Sequence, residues 1–273
     1  MCVVAAVVIA VALSWSSVLE LLRPAPDPLV IAVIPAEADM LTKAQFAPLV
    51  DYIAGEIGQP VELMTVSDYA AVVEAMKYGH ADVARFGPFS YVLATQEAEV
   101  EAIATAIKGD TNAPNYHAYI IAREPITDFN GRTMAYVDVG STSGYLVPAT
   151  YIQNAAIELG EVFFAGGHGA AIEAVKNGTV DLGSVASNRY WVAVAEGIIT
   201  EGEIKVVWQS EAIPNSPIAV QKSMEADLKQ MITNAFLSAP RDIVEALGVG
   251  EVGYVVADDS DYDPIREVQA TLK

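Results

Sequence analysis

The sequence predicts an α/β protein made of two lobes of similar build. Three features predict it. From residue 29 onward, short apolar runs alternate with segments of helical periodicity, the pattern of mostly parallel sheets with helices on both faces. A stretch at residues 71–82 recurs at 170–181, an offset of 99 residues. A turn rich in glycine and hydroxyls, Gly140-Ser141-Thr142-Ser143-Gly144, sits where a central strand gives way to a helix.

The repeat holds in detail. Glu74 and Glu173, Ala75 and Ala174, Lys77 and Lys176, Gly79 and Gly178, and Asp82 and Asp181 coincide at that offset. Each copy reads as a helix closed by glycine and followed by a short apolar strand. Tyr52 and Tyr151, and Tyr91 and Tyr190, keep the same spacing, and Tyr69 falls opposite His168. Ligands of such sheets bind beyond the carboxyl ends of strands, near helix N-termini. Two facing lobes therefore offer two sets of helix starts to one cleft.

The elements follow in order. Residues 29–34 form a strand stopped by Pro35, 43–57 an amphipathic helix ending at Gly58, and 61–65 a second strand. Ser67 and Asp68 cap a helix over 69–78. A strand at 83–86 turns through Gly87 and Pro88 into the next helix, and 100–107 is again a strand. Residues 116–122 read as a strand crossing between lobes. The second lobe brings strands at 133–137, 161–165, 181–185 and 205–209, with helices at 145–159, 170–177 and after Ala186. Residues 213–217 return to the first lobe, where helices at 223–239 and 240–247 pack. The chain thus divides into a leader and linker (1–28), lobe 1 (29–117 with 217–273) and lobe 2 (118–216). The acidic run 258–263 reads as a solvated loop: Pro264 stands where a calcium loop needs glycine, and no glutamate closes it.

Composition limits the partners. Lys plus Arg number 15 and Asp plus Glu 35, a net charge of −20. That argues against nucleic acid and anionic membrane surfaces. The one cysteine, Cys2, permits no internal disulfide. Residues 2–13 are almost wholly apolar and 15–22 carry one charge, which reads as an export signal or an uncleaved anchor. Pro24, Pro26 and Pro28 then make a stiff linker.

The turn at 140–144 carries the chemistry. The first N–H groups of a helix lack partners inside it and bear partial positive charge. Glycine admits close approach, and Ser141, Thr142 and Ser143 add short donors, a combination suited to a small tetrahedral oxyanion. The same residues also make an ordinary serine N-cap. The global charge opposes an anion, so local donors must prevail within the screening length of about 8–10 Å. Gly166-Gly167-His168-Gly169 is a second place of close backbone approach, or a flexible turn. Thr142 stands where a nucleophile elbow needs serine, and no phosphate loop, dinucleotide fingerprint or paired-histidine metal motif occurs. His80, His117 and His168 are too scattered to argue for a metal.

Five ordered motifs carry a resemblance: Ser-Asp-Tyr-Ala-Ala-Val-Val-Glu-Ala (67–75), Phe-Gly-Pro-Phe-Ser-Tyr-Val-Leu-Ala (86–94), Gly-Ser-Thr-Ser-Gly-Tyr-Leu-Val-Pro (140–148), Ala-Gly-Gly-His (165–168) and Asn-Gly-Thr-Val-Asp-Leu-Gly (177–183). From residue 29 to the end the chain resembles the phosphonate/phosphite ABC-transporter substrate-binding proteins. The resemblance implies a type II periplasmic-binding-protein fold, two α/β lobes joined by a two-stranded hinge and closing on the ligand. It implies no cofactor, no reaction, an ABC permease as partner and a periplasmic or extracytoplasmic place. It assigns the ligand oxygens to Ser141, Thr142, Ser143, Tyr69 and Tyr91, with His168 beside them. Ser187 and Asn188 complete the expected set. Relatives that take aminoalkyl phosphonates place an acid after the strand matching 181–185; here the chain reads Ala186-Ser187-Asn188. A missing carboxylate removes the partner of an amine, so phosphite, methylphosphonate or a similar oxyanion is expected over 2-aminoethylphosphonate. A membrane-anchored sensor and an enzyme on the same fold are the competing readings.

Overall fold

The computed structural model describes residues 27–34 and 39–272. The expected leader and most of the proline linker lie outside the described residues. Among the described residues no helix is long and apolar enough to cross a membrane.

The chain runs β1 (Leu29–Val33), α1 (Asp39–Ile57), β2 (Val61–Thr65), α2 (Tyr69–Lys77), β3 (Val83–Arg85), α3 (Pro88–Glu97), β4 (Val100–Lys108), β5 (Asn115–Tyr116), β6 (Ala118–Ala122) and β7 (Met134–Tyr136). After a π-type turn at Thr142–Leu146 come α4 (Val147–Asn154), β8 (Val162–Phe164), α5 (His168–Lys176), β9 (Leu182–Ala186), α6 (Ser187–Ala195) and β10 (Lys205–Gln209). The last part holds β11 (Ile213–Pro214), β12 (Pro217–Gln221), α7 (Ala226–Ser238), α8 (Arg241–Glu245), β13 (Glu251–Val256) and α9 (Asp263–Thr271).

Two sheets define two lobes. One has the order β13-β4-β12-β3-β1-β2, the other β10-β6-β9-β7-β8. Between them β5 and β11 pair antiparallel, Tyr116 opposite Ile213, as a two-stranded hinge. In the first sheet β1 runs parallel to β2 and β3, while β12 and β13 are antiparallel additions. In the second, β7 is parallel to β8 and β9. Apolar side chains fill both faces of each sheet. Ile53, Phe236 and Leu247 pack on one face of the first, and Phe86, Tyr91 and Tyr262 on the other. Val137, Ile172 and Val175 take one face of the second, and Ile120, Met134 and Leu182 the other. Each such side chain stabilises the fold by about 1.5–3 kcal/mol, which fixes the strand ends against each other.

The internal repeat is a structural one. α2 and α5 occupy matching places, and Gly79 and Gly178 close them with φ of 69° and 71°. The paired aspartates do the same work: Asp82 Oδ2 accepts from Val30 N–H at 2.8 Å, and Asp181 Oδ2 from Thr133 N–H at 3.1 Å.

Three expectations need correction. The helix expected over 145–159 is shorter, because the turn before it is π-type, with Leu146 N–H bonded to Ser141 O, and Ala156 turns left-handed at φ 52°. The strand expected over 116–122 breaks at His117, whose N–H goes to Ser187 Oγ rather than to a strand. The run at 258–263, expected as a solvated loop, holds a short 3-10 helix at Asp259–Tyr262 with Tyr262 buried, and β13 and α9 flank it. Gly253 and the charged Glu251 disguise β13, which is held in place by its ladder with β4.

Candidate functional site

A cavity of about 90 Å³ lies between the lobes. The starts of four helices line it: Tyr69 of α2, Gly87 and Pro88 before and at the start of α3, His168 of α5, and Ala186 with Asn188 at the start of α6. These are two pairs related by the repeat. Ser141, Thr142 and Ser143 close the ring, each at most 2% exposed. The turn holding them is fixed by its packing. A Cβ on Gly144 would stand 2.4 Å from Val137, so only glycine fits, and the Gly144 carbonyl accepts from Ser184 Oγ at 2.6 Å. Ser141 Oγ accepts from Gly144 N–H at 3.1 Å. π-type turns of this kind concentrate at functional sites.

Two tyrosine hydroxyls reach the turn. Tyr69 is within hydrogen-bonding reach of Ser141, and Tyr116 of Ser143 and Thr142; burial raises both hydroxyls' pKa, Tyr116 to about 12. Both stay protonated donors. The lobes also touch directly. Thr142 Oγ1 accepts from Phe89 N–H at 2.8 Å, Asn188 Nδ2 donates to Val249 O at 2.7 Å, and Arg189 donates to Gly248 O at 3.2 Å. His168 Nδ1 accepts from Ala186 N–H at 3.3 Å. Burial, with Arg189 and Lys108 nearby, pushes the imidazole down to about 3. The ring is neutral at physiological pH, and its accepting Nδ1 leaves the proton on Nε2, a donor.

The floor of the cavity is cationic. Arg85, Lys108 and Arg189 line it. Arg85 and Lys108, at the last positions of β3 and β4, both bind Glu251, the first residue of β13. Lys108 Nζ lies 2.7 Å from Glu251 Oε1, and both residues are at most 2% exposed. Although burial opposes it, the two cations hold the Glu251 carboxyl down at about 2. Arg85 Nε is buried with no hydrogen-bond partner among the described residues. A donor in that state costs free energy until something accepts from it.

The structure brings together Tyr69, Ser141, Thr142, Ser143, His168 and Asn188 of the expected residues, and excludes two. Tyr91 is wholly buried in the first lobe, edge-on to Tyr262 at 4.8 Å. Its hydroxyl donates to Asp259 at 2.9 Å and accepts from Ala102 N–H at 3.1 Å, so nothing of it faces the cleft. The helix start at Gly87 does reach the cavity, but Tyr91 lies one turn further on, on the core side. Ser187 is equally buried; it donates to Asp110 at 2.9 Å and accepts from His117 N–H, tying α6 to the hinge. Tyr116 takes the place expected for Tyr91. An aromatic hydroxyl at the first residues of a hinge strand was the available signal. Arg85, Lys108 and Arg189 gave none, being single cations in an acidic chain.

Two α/β lobes, a two-stranded hinge and a donor-lined cleft define the type II binding-protein class, which captures small ligands between lobes. The model of the family described as "ABC transporter, phosphonate, periplasmic substrate-binding protein" matches residues 31–262, and the chain belongs to that family. It is 31% identical over 275 residues to the phosphate-import protein PhnD of Mycolicibacterium smegmatis, covering 89% of this chain and 85% of that protein. It is 25% identical to the phosphonates-binding periplasmic protein of Escherichia coli, covering 86% of this chain and 74% of that one. Among solved structures, PhnD1 of Prochlorococcus marinus in complex with methylphosphonate shares the fold with a TM-score of 0.81 at 17% identity, over 90% of this chain and 98% of that one.

Proposed function

We propose that this chain is the extracytoplasmic capture component of an ABC importer for phosphite, methylphosphonate or a related small phosphorus oxyanion, which it hands to a membrane permease. The observation that carries the reading is the meeting of Ser141, Thr142 and Ser143 with Arg85, Lys108 and Arg189 in one closed cavity of about 90 Å³, in a protein of net charge −20. Hydroxyls, helix starts and His168 Nε2 donate to the ligand oxygens. Tyr69 and Tyr116 direct them, and Arg85 Nε gains an acceptor. Ligand contacts to both lobes favour the closed state, and that shift in population is the mechanism. No Asp or Glu is among the described residues that line the cavity, which supports an oxyanion without an amine.

The test is calorimetric titration of the purified protein with phosphite, methylphosphonate, phosphate, 2-aminoethylphosphonate and sulfate. Tight binding of phosphite or methylphosphonate with weak binding of 2-aminoethylphosphonate is the expected result. Preference for 2-aminoethylphosphonate overturns the ligand assignment, and absence of binding by every phosphorus compound overturns the function.

A further inference from the structure

We propose that the buried Arg85–Glu251–Lys108 cluster is a charge selector, making the cleft prefer doubly charged over singly charged oxyanions of the same shape. This rests on the proposed oxyanion function and adds the ligand's charge state to it.

The geometry carries the argument. Glu251 stands opposite Lys108 in the β13–β4 ladder, and Arg85 reaches the same carboxylate from β3, three strands over in the sheet. One carboxylate therefore serves two cations, which leaves the cluster one positive charge in excess. Both cations line the cavity, whereas Glu251 does not. The carboxylate thus acts from behind: it holds the cations in place while the excess charge meets the ligand.

Apart from Arg189, which also lines the cavity and donates to Gly248 O, the rest of the site is made of neutral donors. Ser141, Thr142, Ser143, Tyr69, Tyr116, the helix starts and the neutral His168 disperse charge but do not cancel it. They suit any tetrahedral oxyanion, singly or doubly charged. Discrimination between the two must come from net charge at short range, where burial keeps it unscreened. A buried ion cluster also costs desolvation that apolar residues of the same size would avoid. For Arg85 and Lys108, which face the cavity, binding is the use that offsets it.

Methylphosphonate and methanesulfonate make the test, since they share a shape while the sulfonate carries a single charge. In neutral to mildly alkaline buffer, where methylphosphonate gains its second charge, the wild-type protein should bind it at least about tenfold more tightly than methanesulfonate. Lys108→Met leaves Arg85 balanced by Glu251, with Arg189 unchanged, and should lower that ratio severalfold. Lys108→Met combined with Glu251→Gln restores an excess charge on Arg85 and should restore the ratio. Arg85→Met repeats the removal if Lys108→Met does not fold. A wild-type ratio near one, or a ratio unchanged in the charge-balanced variants, overturns the proposal while tight methylphosphonate binding leaves the oxyanion function standing. Failure of the wild type to bind any phosphorus oxyanion is the separate failure of that function.

Discussion

Tyr91→Phe and Tyr116→Phe should separate folding from binding, because the two hydroxyls differ only in where the fold puts them. Removing the Tyr91 hydroxyl keeps its ring against Tyr262. Asp259 loses a donor but is more than half exposed and retains Arg266 at 2.6 Å, so its loss is small. The Ala102 N–H loses its acceptor inside the protein, which costs about 1–3 kcal/mol. For a chain of this size that lowers the melting temperature by about 2–4 °C per kcal/mol. Affinity should stay within about twofold, since the hydroxyl is off the cavity. Tyr116→Phe removes a donor beside Thr142 and Ser143 and should weaken oxyanion binding by about 1–3 kcal/mol, roughly 5- to 150-fold. Thermal melts of the free protein and calorimetry with phosphite or methylphosphonate read both quantities. Reversed results, with Tyr91→Phe losing affinity at unchanged stability and Tyr116→Phe binding like wild type, would refute the assignment.

Further outcomes follow from the same geometry. A Cβ on Gly140 would stand 2.5 Å from Tyr69 Cβ across the cleft, so Gly140→Ala should prop the lobes apart; small-angle scattering should show a larger radius with ligand present, and binding should fall at least about tenfold. Normal compaction and affinity in that variant would mean the contact yields. His168 is held at about 3 when folded, below the ordinary histidine value, so it adds stability above the unfolded pKa that is lost as pH falls. Urea melts of the ligand-free protein should lose about 1.4 kcal/mol per pH unit from this group below about pH 6.5, a slope reduced in His168→Gln. An identical slope in both proteins would count against the neutral ring. Burial lowers Lys108 to about 8, with Glu251, Arg85 and Arg189 facing it. An anion raises that value on binding, so affinity for the doubly charged ligand should fall by up to about tenfold per unit above about pH 8. A flat profile there in the wild type would contradict a ligand-facing Lys108.

The solved structure of like fold with methylphosphonate and the relative named for phosphate import differ in the ligand their names give. Both ligands are tetrahedral phosphorus oxyanions able to carry two charges. This chain's turn and helix starts suit that common shape, and the cation cluster is where its own preference would be set. Glu251 is the positioning member: without it, Arg85 and Lys108 would repel one another in a buried space.

What the sequence determined by itself is local or repetitive. The strand-to-helix turn at Ser141–Ser143 was readable because glycine and hydroxyls at a helix start either cap the helix or hold an anion. The two-lobed build was readable because Gly79 and Gly178, or Asp82 and Asp181, must solve the same backbone problem twice. Tertiary structure alone decided which tyrosine faces the cleft. Tyr91 and Tyr116 both sit near element starts, and only the packing of Tyr262 and the hinge pairing with Ile213 turns one inward and the other to the cleft. It also decided the charge of the site. Arg85 and Glu251 are 166 residues apart, and neither is unusual in its own segment. Electrostatic energy depends on distance in space and on burial, and neither is a property of a residue's place along the chain.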